Sequence, residues 1–118
     1  MKPLRVLIHR ASEDWFEAQL LDLDIAVASA TEDGLFRELE HALELEYRIA
    51  RRRGETPFAS IAGATPPHFE AYWNTAADAI PDEAGQRALN VSPDAQDALA
   101  IALHSKGGLT IQVRKTAA

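Results

Sequence analysis

The sequence predicts an α+β fold: a three-stranded antiparallel meander packed on one long amphipathic helix, with an additional C-terminal helix and a final strand. Three observations carry this prediction. Apolar and polar residues alternate in short runs up to residue 30, separated by polar turns. A helical period then replaces the alternation and persists to residue 53. Beyond it, prolines and glycines cut the chain into shorter segments.

The first strand starts in LRVLIHR, residues 4–10. Leu4, Val6 and Ile8 share one face, and Arg5, Leu7 and His9 the other. Ser12-Glu13-Asp14 is a turn. In residues 15–21, Phe16, Ala18 and Leu20 alternate with Trp15, Glu17 and Gln19. Asp22-Leu23-Asp24 turns the chain again, and residues 25–30 form a third strand. Turns this short join antiparallel neighbours.

The long helix carries its own punctuation. Thr31 stands at the cap, Glu32 and Asp33 in the first turn, Arg51, Arg52 and Arg53 in the last, and Gly54 follows. That charge order complements the helix dipole, and glycine suits the left-handed exit. Leu35, Phe36, Leu39, Ala42, Leu43, Tyr47, Ile49 and Ala50 form one stripe. Asp33–Arg37 and Glu44–Arg48 are i,i+4 pairs on the outer face. At 1.5 Å per residue the helix is about 33 Å long, enough to cross the whole domain.

Residues 55–67 contain Pro57, Gly63 and Pro66-Pro67 and form a connector. Residues 68–80 suit a short helix ended by Pro81. Ser92 caps a further helix with Pro93 in its first position, and Ala95, Ala98, Leu99, Ala102 and Leu103 stripe it as far as Gly107-Gly108. LTIQVRK, residues 109–115, alternates as a final strand. The organisation is thus a strand–helix unit over residues 1–58 and an extension over residues 59–118 packed on the same domain.

Composition narrows the function classes. The 118 residues include no cysteine, which excludes disulfides, thiolate catalysis and thiolate zinc sites. Arg5 and His9 interrupt the first apolar run, and no stretch approaches the roughly 20 apolar residues of a membrane span. A cytoplasmic location without membrane contact is therefore expected. Twelve basic against eighteen acidic residues give a net charge of -6. Broad nucleic-acid binders are usually basic, so the balance favours a protein partner, itself basic.

The order strand, strand, strand, long helix is written in EDWFEAQLLDLD, the Thr31 cap and LEHALELEYRIARRRGETPF. It resembles the N-terminal half of the HicB-like antitoxin family. In that family an acidic turn leads to an aromatic-x-Ala strand, an Asp-Leu follows, and a Thr opens a long helix. Here these features fall on Glu13-Asp14, Phe16 to Ala18, Asp22-Leu23 and Thr31. Asp24-Ile25 and Ser29-Ala30 replace the family's Pro-Gly and Gly-Asp turns.

The resemblance implies a partial double-stranded-RNA-binding-domain-like fold. It also implies a non-catalytic, homo-oligomeric protein that masks a small RNA-cleaving toxin. Many members also carry a DNA-binding C-terminal part. QRALNVSPDAQDALAIALHSKGGLT is similar to the strand and first helix of a ribbon-helix-helix spanning residues 86–118. Leu89 and Val91 would face inward, and Gln86, Ala88 and Asn90 would read DNA. LTIQVRKTAA suits a strand better than the required second helix, so DNA binding is the less favoured reading. An orphan domain with another regulatory role also stands open.

Candidate partner contacts are Trp15, the Arg51, Arg52 and Arg53 cluster, and Tyr72 and Trp73, which with Phe69 place three aromatics within five residues. The favoured reading of Phe69, Tyr72 and Trp73 is that they pin the second half onto the Leu45 and Ile49 side of the helix. Glu46 interrupts the apolar stripe, and Arg5 or His9 would be its natural partner. His9, His41, His68 and His104 are scattered, and His41 near Glu38 and Glu44 reads as a solvated row. No catalytic set, metal-ligand spacing or cofactor loop is expected.

Overall fold

A computed structural model describes residues 3–78, 89–104 and 110–116. Its sheet is organised around β1 (Leu4–Ser12), the strand with apolar residues on both faces. On one side β1 pairs antiparallel with β2 (Trp15–Leu20), which pairs antiparallel with β3 (Ala26–Ser29). These are the expected meander strands, each within two residues of its expected bounds.

The long helix α1 (Glu32–Arg53) follows as predicted. Thr31 Oγ1 accepts from Gly34 N at 2.9 Å, and Gly54 closes the helix at φ 68°. Gly34 is there for space: a Cβ built on it would lie 2.0 Å from Ser29 Oγ and 2.9 Å from the capping Thr31 Oγ1. Helix propensity is given up at that position so that β3 can run straight into the cap.

The C-terminal half completes the sheet. Helix α2 (His68–Thr75) is followed by the two-residue strand β4 (Ala77–Asp78), helix α3 (Pro93–Ala102) and strand β5 (Ile111–Lys115). The sheet order is β3-β2-β1-β5-β4, with β5 parallel to β1 and β4 antiparallel to β5. Val6 therefore lies between Leu20 and Val113, and Leu4 opposite Ile111. The final strand thus joins inside the sheet, between β1 and β4.

Two apolar layers result. Leu4, Val6, Ile8, Ala18, Leu20, Ile111 and Val113 meet Leu35, Phe36, Leu39 and Leu43 of α1, with Leu89, Val91, Ala95 and Leu99 in the same core. On the opposite face Leu7, Leu21 and Trp73 form a second cluster with Phe69 and Ala76. Phe58 holds φ at 65°, strained for a bulky side chain, and is kept there by burial of its ring and by carbonyl bonds from Ile61 N and Ala62 N.

Several expectations are corrected. The helix expected over 68–80 stops at Thr75, because Ala76 turns extended at ψ 149° and leads into β4; residues 79 and 80 lie outside the described residues. The third helix ends at Ala102, where His104 takes φ 51°, so it does not extend to Gly107-Gly108, which also lie outside them. The aromatic trio does not pack on Leu45 and Ile49. It lies on the sheet's other face, where Leu7 needs cover, and both α1 residues stay exposed.

Glu46 is half-buried, and its expected partners are elsewhere: Arg5 and His9 share the Leu7 face, across the sheet from α1. Glu44 is not confined to the outer face with Arg48. It accepts from Ser92 Oγ at 2.9 Å and Ser92 N at 3.3 Å, while Glu40 accepts from Asn90 N.

These two carboxylates also bear on the ribbon reading. Leu89 and Val91 do turn inward, but residues 89–92 form no strand and lie against α1. Gln86 and Ala88 are outside the described residues. The segment needed as a second ribbon-helix-helix helix holds strand β5 over Ile111–Lys115 instead.

Glu44 thus holds the cap of α3 and fastens it to α1. Glu44→Ala is expected to cost about 1–2 kcal/mol, since it strands the Ser92 N–H near the core. Urea unfolding checks this through a lower midpoint at unchanged slope.

Candidate functional site

Among the described residues, the outer face of the sheet, opposite α1, is only half covered. Trp73 explains which half. Its ring is 5% exposed and packs on Leu7 and Leu21. The Arg114 guanidinium stands 4.5 Å from the ring centroid and donates to Trp73 O at 2.9 Å, and Arg5 stands 5.7 Å from the ring.

Arg5 also forks between Asp22 at 3.1 Å and Glu70 at 2.7 Å. Its pKa is raised, first by the hydrogen bonds to Glu70 and then by Asp22, against the opposing effect of burial. The guanidinium, charged as arginines are throughout the ordinary pH range, clamps the start of α2 over the first half of β1. A recess of about 380 Å³ adjoins this network, and the charges lining it already satisfy one another.

Beyond the clamp, no described helix covers the second half of β1 or strands β2 and β3 on this face. The resulting trough holds about 600 Å³ and is lined by Leu7, His9, Gln19, Ala26, Phe69 and Tyr72, with Glu17 also on it. Most of that lining is apolar or aromatic. Tyr72 is 52% exposed and meets Phe69 edge-on at 6.3 Å. His9 Nδ1 lies 3.1 Å from Thr116 Oγ1. Gln19, the buried polar side chain of the sheet, donates through Nε2 to Leu20 O at 2.9 Å and to Asp24 Oδ1 at 3.4 Å.

By strand alternation Trp15 stands on this same face beyond Glu17, and it is half exposed. The two sequence-predicted aromatics Trp15 and Tyr72 therefore belong to the open face. Trp73 is the anchor beneath it. Arg51, Arg52 and Arg53 are exposed at the far end of α1, on the other side of the sheet, and form no common surface with the aromatics.

His9 and Gln19 are not among the sequence-predicted partner contacts; His9 enters there only as a scattered histidine and a partner for Glu46. For Gln19 a signal existed, a polar residue between Ala18 and Leu20, but only the fold of α2 and β3 makes it a trough residue. Among the described residues, no three His, Asp or Glu side chains converge as a metal site. None of the described helices is long and apolar enough to cross a membrane. The trough itself presents apolar surface with a few polar groups at its rim, a surface suited to binding.

Comparison with protein-family models, curated proteins and solved structures gave no match.

The division of labour between neighbouring aromatics is testable. Trp73→Ala is expected to cost about 3–5 kcal/mol by emptying the second core. Tyr72→Ala should stay within about 0.5 kcal/mol of the parent, because its ring is largely solvated. Denaturant unfolding of both variants checks the contrast.

Proposed function

We propose that the chain is a non-catalytic partner-binding protein resembling a HicB-type antitoxin, which masks a small basic RNA-cleaving protein. The observation that carries the proposal is that, among the described residues, the outer sheet face is half open and ends in an unpaired edge. Strand β3 is the last strand of the sheet, and its sequence Ala26-Val27-Ala28-Ser29 contains no charge and no proline. Charge and proline are two of the devices by which natural sheets guard an edge, and this four-residue strand carries neither. It offers backbone donors and acceptors to an added strand, while the adjoining trough takes side chains.

Charge supports the nature of that strand. Glu13, Asp14, Glu17 and Asp24 are exposed around β2 and the start of β3, in a chain of net charge -6. A basic segment is attracted to such a rim. The strand–strand–strand–helix order of residues 4–53 supports the family reading and its partial double-stranded-RNA-binding-domain-like fold.

Affinity capture by the full chain of the small protein encoded beside it tests the proposal, followed by an RNA-cleavage assay. A stable complex that suppresses cleavage is expected. Glu17→Lys combined with Tyr72→Ala should weaken binding at least about tenfold, or about 1.4 kcal/mol. The reading fails if the adjacent frame encodes no small basic protein, or if that protein neither binds nor is inhibited.

A further inference from the structure

On the α1 side of the sheet a second trough, of about 520 Å³, lies between α1 and α3. Tyr47 of α1 and Ala98 and Ile101 of α3 give it an apolar lining. Ile101 is 73% exposed, the largest exposure of any large hydrophobic among the described residues. An aliphatic side chain standing this far into water gains stability when covered.

The two walls carry opposite charges. Arg51 lines the α1 wall and is followed by Arg52 and Arg53; Asp94 and Asp97 line the α3 wall, with Ile101 one turn beyond Asp97. Among the described residues no ion pair engages Arg51, Asp94 or Asp97. Helix dipoles account for arginines in the last turn of α1 and for Asp94 in the first turn of α3. They do not account for Asp97, which lies past that first turn, or for the protruding Ile101.

An apolar centre with cations along one side and anions along the other is complementary to itself under two-fold rotation. The rotation brings each cationic wall onto the anionic wall of the other copy. We propose that this trough is the isologous interface of a homodimer. Ile101 of each copy enters the apolar floor of the other, and Arg51 faces the Asp94–Asp97 wall across the axis. The pattern fits a second copy better than an unrelated acidic or basic protein, which would meet one wall and be repelled by the other. The dimer leaves the outer sheet face open, so it stands or falls apart from the partner-binding reading.

Sedimentation equilibrium of the full chain over roughly a hundredfold concentration range tests it, because dimerisation follows mass action. The parent chain is expected to dimerise. Ile101→Ser is expected to be a folded monomer with an unchanged far-UV spectrum, since the residue is exposed in one copy alone. Arg51→Glu and Asp97→Arg each set like charges together twice per dimer and should raise the dissociation constant at least about tenfold.

An equimolar mixture of those two variants is the decisive arm. In the mixed dimer both contacts again join opposite charges, so association should return to near the parent value. A parent chain that stays monomeric overturns the proposal. So does a dimer indifferent to Ile101→Ser, or a mixture no tighter than its two components.

Discussion

The parallel pairing of β5 with β1 is the constraint on which the rest of the structure depends. It brings residues 111–115 into register with residues 4–8, at a separation of more than a hundred positions. Closing so long a loop costs entropy that local contacts cannot offset. What offsets it is burial on both faces of a single strand. Ile111 and Val113 enter the α1 core, while Arg114 on the other face stacks on Trp73 and fixes α2. Lys115 adds an ion pair to Glu32 at the start of α1, at 2.8 Å. One strand therefore ties both helical layers to the sheet.

The acidic row of α1 does a second part of that organisation. Glu40 and Glu44 flank the apolar stripe and receive the backbone of residues 90 and 92, so polar contacts hold the chain entering α3 beside its apolar packing. Placing α3 there opens the trough beside Tyr47 and Arg51. Across the sheet, the Arg5 fork to Asp22 and Glu70 sets where α2 lies, and therefore which part of the outer face stays open. The two surfaces available for binding follow from two sets of carboxylates, one on each side of the sheet.

Much of residues 4–54 was legible in the sequence, for local reasons. Alternation in LRVLIHR, the Thr31 cap and the Arg51-Arg52-Arg53-Gly54 exit each depend on residues a few positions apart. The second half was legible as elements but not as an arrangement. Ser92-Pro93 marked α3 correctly, yet nothing local says that Glu44 holds Ser92. Leu7, an apolar residue on the Arg5 and His9 face, was the available sign that both faces of β1 are covered, and Trp73 is what covers it. The trough was the least legible feature. His9, Gln19, Ala26 and Tyr72 come from three strands and a helix, and only long-range pairing sets them side by side.

Native-state hydrogen exchange measures the β5–β1 pairing most directly. Leu4 N donates to Thr110 O at 2.8 Å and Thr116 N to Ile8 O at 2.9 Å, so the ladder between them ties the amides of Gln112 and Arg114 to β1. If β5 is the strand that closes the fold, those amides open only with global unfolding, at the same free energy as the amides joining β1 to β2. Fast exchange at Gln112 and Arg114, with β1, β2 and α1 still protected, would contradict the account: the meander and helix would then be stable without β5.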